Sequence, residues 1–291
     1  MADFKIVCNN TADLPDDIIR ELGVTVMPLA VSIGDEIYKH IPMEDFYQKL
    51  RAGAMPTTSA ANIGEANEIF EPILASGCDL LYLAFSSGLS TTYETLYMAA
   101  GELRERFPER KIYVIDTMAA SSGERLLVIK AAETRRDGKS IDEVRDWVES
   151  NKLNVAHWFT VGDLGHLKRG GRVSAATAAV GGMLNIKPIL IVDNEGRLTK
   201  ADSVRGRRQS LLFLAGMLED SIIEPEGQIA YIPHGDCVED ANWLKEQIVN
   251  MGVVKDVVVH YLGPVIASHT GAGMIGLVFL GRDRGASKPG A

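Results

Sequence analysis

The segment DLLYLAF at residues 79–85 reads as a buried strand. After it, Tyr93, Leu96, Tyr97, Ala100, Leu103 and Phe107 recur at the spacing of one helix face, and a second apolar strand, KIYVID, follows at 111–116. This order constrains the chain strongly, because neighbouring parallel strands need a crossover helix that packs back on their sheet. The rhythm extends in both directions. FKIVC at 4–8 is a strand, PDDIIREL ending at Gly23 is a helix with proline near its start and a glycine stop, and VTVMPLAVS at 24–32 is a further strand. Helices are expected near 121–136 and 141–150. Residues 1–153 are therefore predicted to form a mostly parallel, three-layer α/β/α domain.

The pattern changes at SNKLN, near 151–154. IKPILIV and RLTKADSV are separated only by DNEG, a hairpin signal, and the strands VAHWFTV, GQIAYIP and DVVVHYL complete a predicted mixed-sheet α/β domain over 154–291. The tail RDRGASKPGA is expected to fray.

Composition excludes several functions. A formal net charge of −9 without a basic block disfavours a nucleic-acid partner, and RGRRQ at 205–209 is too small an exception. No apolar run approaches the roughly 18 residues of a membrane helix, and the first ten residues lack a signal-peptide core, so a cytoplasmic location is expected. Cys8, Cys78 and Cys237 are far apart and read as buried free thiols. GAGMIG at 271–276 matches a dinucleotide fingerprint in letters but precedes a strand near the chain's end, and DGKS at 137–140 has Glu133 where a phosphate loop needs glycine. There is no G-x-S-x-G or HExxH, and the histidines lack ligand spacing, so neither a metal nor a cofactor is expected.

Three turns share a chemistry: PTTSAAN at 56–62, SSGLSTTY at 86–93 and DTMAASSGE at 116–124 all lead into helices. Ligands of open α/β sheets bind beyond the carboxyl ends of the strands, where such turns gather. Hydroxyls beside the unpaired N–H groups of helix starts suit a carboxylate or phosphate, although each alone also reads as an ordinary cap.

The residues IVCNNTADLP, PTTS, SSGLSTTY, VIDTMAASSGE, LKRGGRVS, IKPIL, GRLTKADSVRGRRQSL and SHTGAGMIG occur in the order and spacing of the DegV family, which this chain resembles from residue 6 to 280. The resemblance implies two α/β domains with a long-chain fatty acid between them. It implies that the carboxylate is held by Thr58 and by Ser90 or Ser87, with a loop carrying His269, Thr270 and Gly271 closing the site. It further implies a lipid-carrying subunit of a bacterial fatty acid kinase, not catalytic alone, whose separate ATP-binding subunit phosphorylates the carboxylate; Arg205 and His269 match positions linked to that transfer. A lipid store or sensor, and a hydrolase or transferase using Ser90 or His269, are the alternatives.

Two departures stand out. Asn9-Asn10-Thr11 replaces a usual D-S-T, which is expected to ease anion binding nearby, and Ala60-Ala61-Asn62 replaces Q-P-S. A tail of about 16 carbons would contribute roughly 12 kcal/mol gross against about 1 kcal/mol per neutral hydrogen bond, so the head group sets orientation rather than affinity. SAATAAVGGMLNI at 174–186 suits either the lining of a slot or a packed helix.

Overall fold

The structure is a computed structural model and describes residues 3–174 and 185–285. Its first sheet joins β1 (Phe4–Asn9), β2 (Val24–Met27), β6 (Asp79–Ala84) and β7 (Ile112–Asp116), all parallel, in the order β2-β1-β6-β7. Every residue of β6 is buried, which explains its continuous apolar run: both faces of this sheet are covered. On one face Val7, Leu80 and Tyr82 share a core with α3 (Ile63–Ala75) and α4 (Thr92–Arg106). On the other, Ile6, Leu81 and Leu83 pack with α1 (Asp16–Leu22), α5 (Ser122–Arg136) and α6 (Ile141–Asn151). Asn62 and Ser140 open α3 and α6 through reciprocal bonds with Glu65 and Glu143.

One expected strand is two. VTVMPLAVS breaks after Met27, because Pro28 has no N–H for a ladder and the Asn10 side chain takes both backbone groups of Leu29. The remainder becomes β3 (Val31–Ile33), which pairs antiparallel with β4 (Glu36–Tyr38) and β5 (Thr57–Thr58) in a separate small sheet, with α2 (Met43–Arg51) between β4 and β5 in sequence.

The second sheet is mixed, as expected. It comprises β8 (Val155–Thr160), β9 (Ile186–Val192), β10 (Leu198–Arg205), β11 (Ile229–His234), β12 (Asp256–Tyr261) and β13 (Ile275–Leu280), in the order β10-β9-β8-β13-β11-β12. The DNEG turn does close an antiparallel hairpin, β9 with β10. Trp158, Ile189 and Ile191 face α8 (Arg207–Ser221) and α9 (Val238–Met251), while Val155, Tyr231 and Val278 turn toward α5. Two short helices, α7 (Gly165–Arg169) and α10 (Pro264–Thr270), precede the GGR turn and β13 respectively.

The expected frayed tail is pinned as far as Gly285. Arg284 is fully buried and donates to the carbonyls of Thr117, Met118, Lys152 and Asp193, because a buried guanidinium must find acceptors. Of the thiols, Cys8 is buried, whereas Cys78 and Cys237 are only half-buried; all are free. Residues 175–184, most of the proposed slot-lining segment, lie outside the described residues.

Candidate functional site

A cavity of about 490 Å³ lies between the sheets, and all three hydroxyl-bearing turns reach it. Thr58 and Ser59 come from the first turn, Ser87 and Ser90 from the second, and Ala120 and Ser121 from the third. They converge because β6 and β7 are parallel, so the turns after them emerge at one sheet edge. Thr58 is brought there by the small sheet, where it pairs with Val31. Apolar side chains of the second sheet, including Phe159, Leu198 and Val278, form the facing wall.

One end of the cavity is polar and built. His269 Nε2 lies 2.8 Å from Thr58 Oγ1, joining the two halves. The histidine is not on a loop: it occupies the last turn of α10, which Pro264 initiates and Gly271 ends at φ 73°. Its Nδ1 edge lies where a Cβ on Gly170 would stand, so only glycine admits the ring. Burial, and then the charge of Arg172, hold the imidazole down to about 4, so it is neutral at pH 7 and both donates and accepts.

Arg172 lines the same end and is the one charged side chain among the described lining residues, His269 being neutral. It is half-buried, with Nε donating to Leu89 O at 3.2 Å and Nη1 to Gly170 O, which fixes the guanidinium beside Ser90. The sequence reading missed it. Its signal was the arginine after the glycine pair in LKRGGRVS.

Ser90 Oγ accepts the N–H of Thr92 and lies 2.9 Å from Thr92 Oγ1, which itself accepts from Ala61 N. Either hydroxyl can donate in this pair, and when Thr92 donates, Ser90 keeps its own proton for a ligand. Ser87 lines the cavity, and its backbone N–H donates to Asp116. Thr270 also lines it, yet its hydroxyl bonds back to Ile266 O at 3.3 Å. Gly271 is not among the described lining residues; a Cβ there would meet the His166 ring at 2.5 Å. Arg205 stands apart, exposed at the end of β10 opposite Ile186.

Asn9 does not face the cavity. It is fully buried, and its Oδ1 accepts from Tyr82 Oη and Phe85 N, so its exchange for aspartate bears on the core rather than on an anion. Among the described residues no helix is long and apolar enough to cross a membrane.

Two α/β layers meet on a cavity with a cation at one end and apolar side chains along the facing wall. The model of the DegV family matches residues 3–282. A DegV domain-containing protein of Clostridium perfringens is 44% identical over 97% of this chain and 98% of its own. Among solved structures, a fatty-acid-binding DegV family protein of Thermus thermophilus superposes with a TM-score of 0.86 at 33% identity, covering 95% of this chain and 98% of its own. DegV of Bacillus subtilis, a fatty acid binding protein, gives 0.84 at 26% identity over 96% and 99%. The chain belongs to the DegV family.

Proposed function

We propose that this protein binds a long-chain fatty acid between lobes formed by residues 1–153 and 154–291, and presents the carboxylate to a separate ATP-binding kinase subunit in the bacterial cytoplasm for acyl phosphate formation. The observation that carries the reading is the meeting of Thr58, Ser90, Arg172 and neutral His269 at one end of an otherwise apolar cavity. The cation neutralises a carboxylate and the hydroxyls fix its orientation, while the walls bury the hydrocarbon that supplies most of the affinity. The fatty acid binding of the Thermus and Bacillus relatives supports the same ligand class.

The kinase step rests on a second group of residues. Lys168, Arg169, Lys187 and Arg205 lie toward the same end of the second sheet, since Lys187 reaches Gly162 O just before α7 and Arg205 pairs with Ile186. Among the described residues none of the four is in an ion pair, which leaves their charge free for a phosphate or an acidic partner surface. A hydrolase reading has less support: Ser90 is paired with Thr92 and His269 with Thr58, and among the described residues no carboxylate is hydrogen-bonded to either one.

Denaturing mass spectrometry of protein purified without added lipid should release a long-chain acid, and its absence after equilibration with C14–C18 acids would refute the ligand. Mixing the loaded protein with the host's ATP-binding subunit and ATP, then trapping with hydroxylamine, should yield the acyl hydroxamate. Ligand without hydroxamate would identify a store or sensor instead.

A further inference from the structure

Asp13 sits outside the cavity lining yet touches the machinery that shapes it. It follows the 3-10 turn Asn10–Ala12 in the left-handed region, at φ 50°, and is half-buried. Its Oδ1 accepts the N–H of Gly263 at 3.0 Å, and its Oδ2 accepts from Ser121 Oγ at 2.5 Å. Gly263 is the N-cap of α10, and Ser121 is the N-cap of α5, itself at φ 50°, ψ −126°. One carboxylate of the first half thus binds the leading end of the helix that carries His269. Tyr47 Oη makes a second tie at the same junction, donating to Leu262 O at 3.0 Å.

A helix of seven residues is about 10 Å long and moves as a rod. His269 lies six residues beyond Gly263, so a shift of the leading end is delivered to the imidazole. The Thr58–His269 contact has a narrow tolerance, because such bonds fail within about half an ångström of their optimum.

We infer that Asp13 is a positioning residue for the head-group site: by anchoring Gly263 and Ser121 together it sets the place of α10, and through it the seat of His269 against Thr58. Nothing else in the first half accepts the Gly263 N–H among the described residues. A Cβ on Gly263 would overlap Asp13 Oδ1, so the approach also dictates glycine at the cap. The inference rests on the fatty-acid reading above, since it concerns how that carboxylate is held.

The test compares a fatty acid with the fatty alcohol of equal chain length, using displacement of a fluorescent fatty acid. Wild type should favour the acid. Asp13→Ala should bind the acid about tenfold more weakly and the alcohol within about twofold of wild type, and the His269 ring signals in nitrogen-edited NMR should move as the Thr58 bond is lost. Asp13→Asn should restore both, because the amide oxygen accepts from Gly263 and its N–H donates to Ser121. Gly263→Ala, which keeps the carboxylate but displaces it, should resemble Asp13→Ala and stands in if that variant does not fold. Equal losses for acid and alcohol, or unmoved His269 signals, would overturn the inference. A wild type that binds neither lipid would instead overturn the fatty-acid reading.

Discussion

Arg172 offers the sharpest test of how the cavity handles charge. Two of its N–H groups are committed to Leu89 O and Gly170 O, leaving the remaining face of the guanidinium toward the cavity. A carboxylate placed about 4 Å away would gain about 4 kcal/mol at an effective dielectric of 20, and half-exposure to water cuts this to about 1.5–3 kcal/mol. Arg172→Gln should therefore weaken a C16 acid by about 10- to 150-fold, since each factor of ten is about 1.4 kcal/mol. The C16 alcohol, which carries no charge, should lose no more than about threefold. A second readout is independent of ligand: the same charge helps hold His269 down to about 4, so its removal should raise the histidine pKa toward the usual 6.5, seen by NMR titration. If acid and alcohol weaken alike and His269 does not move, Arg172 only ties two turns together and the electrostatic argument fails.

Thr58→Val with Ser90→Ala should weaken the acid about 30-fold, from two bonds of about 1 kcal/mol each, and unchanged affinity in a titration would remove both from the site. Burial raises Asp13 to about 7 from 3.8, so the stability this group contributes is complete below about 4 and lost as pH rises through 7; the gain from Asp13→Asn in urea unfolding should be about 2–3 kcal/mol larger at pH 8 than at pH 5. The histidines act oppositely. Burial holds His157 and His260 at about 3 and His269 at about 4, below the 6.5 of the unfolded chain, so their contribution is present above 6.5 and falls away as pH drops toward 4, visible as a declining urea midpoint. Arg284→Met should cost about 3 kcal/mol in the same assay, because it strands four carbonyls, that of Thr117 buried and the others partly so; an unaltered midpoint would mean water replaces them.

What could be read from the sequence was local or periodic. β6 announced itself by an unbroken apolar run, and the β9–β10 hairpin by its four-residue turn. The gathering of Ser87, Ser90 and Ser121 was also legible in outline, because parallel strands deliver their following turns to one edge. What escaped depended on distant partners. β3, β4 and β5 are two or three residues long, too short for any period, and exist because Asn10 captures Leu29 and Thr58 finds Val31. Arg172 lies in a glycine-rich turn whose direction only the fold decides. Arg284 looked like part of a loose polar end, since none of the four carbonyls that hold it is near it in sequence. His269 was expected in a loop because the glycines after it drew attention from Pro264 and the apolar residues before it.

The position of α5 has a consequence for how the molecule comes apart. It packs on β1 and β6 of one sheet and on β8, β11 and β13 of the other, with Gly123 set against the His157 ring and Ser122 through Val128 all inside. Neither half owns it. Separating the halves near residue 153 would uncover Arg125, which lies over the Tyr231 ring, in one fragment and bare Val155, Tyr231 and Val278 in the other, so the halves should melt as one calorimetric event and should not survive separation.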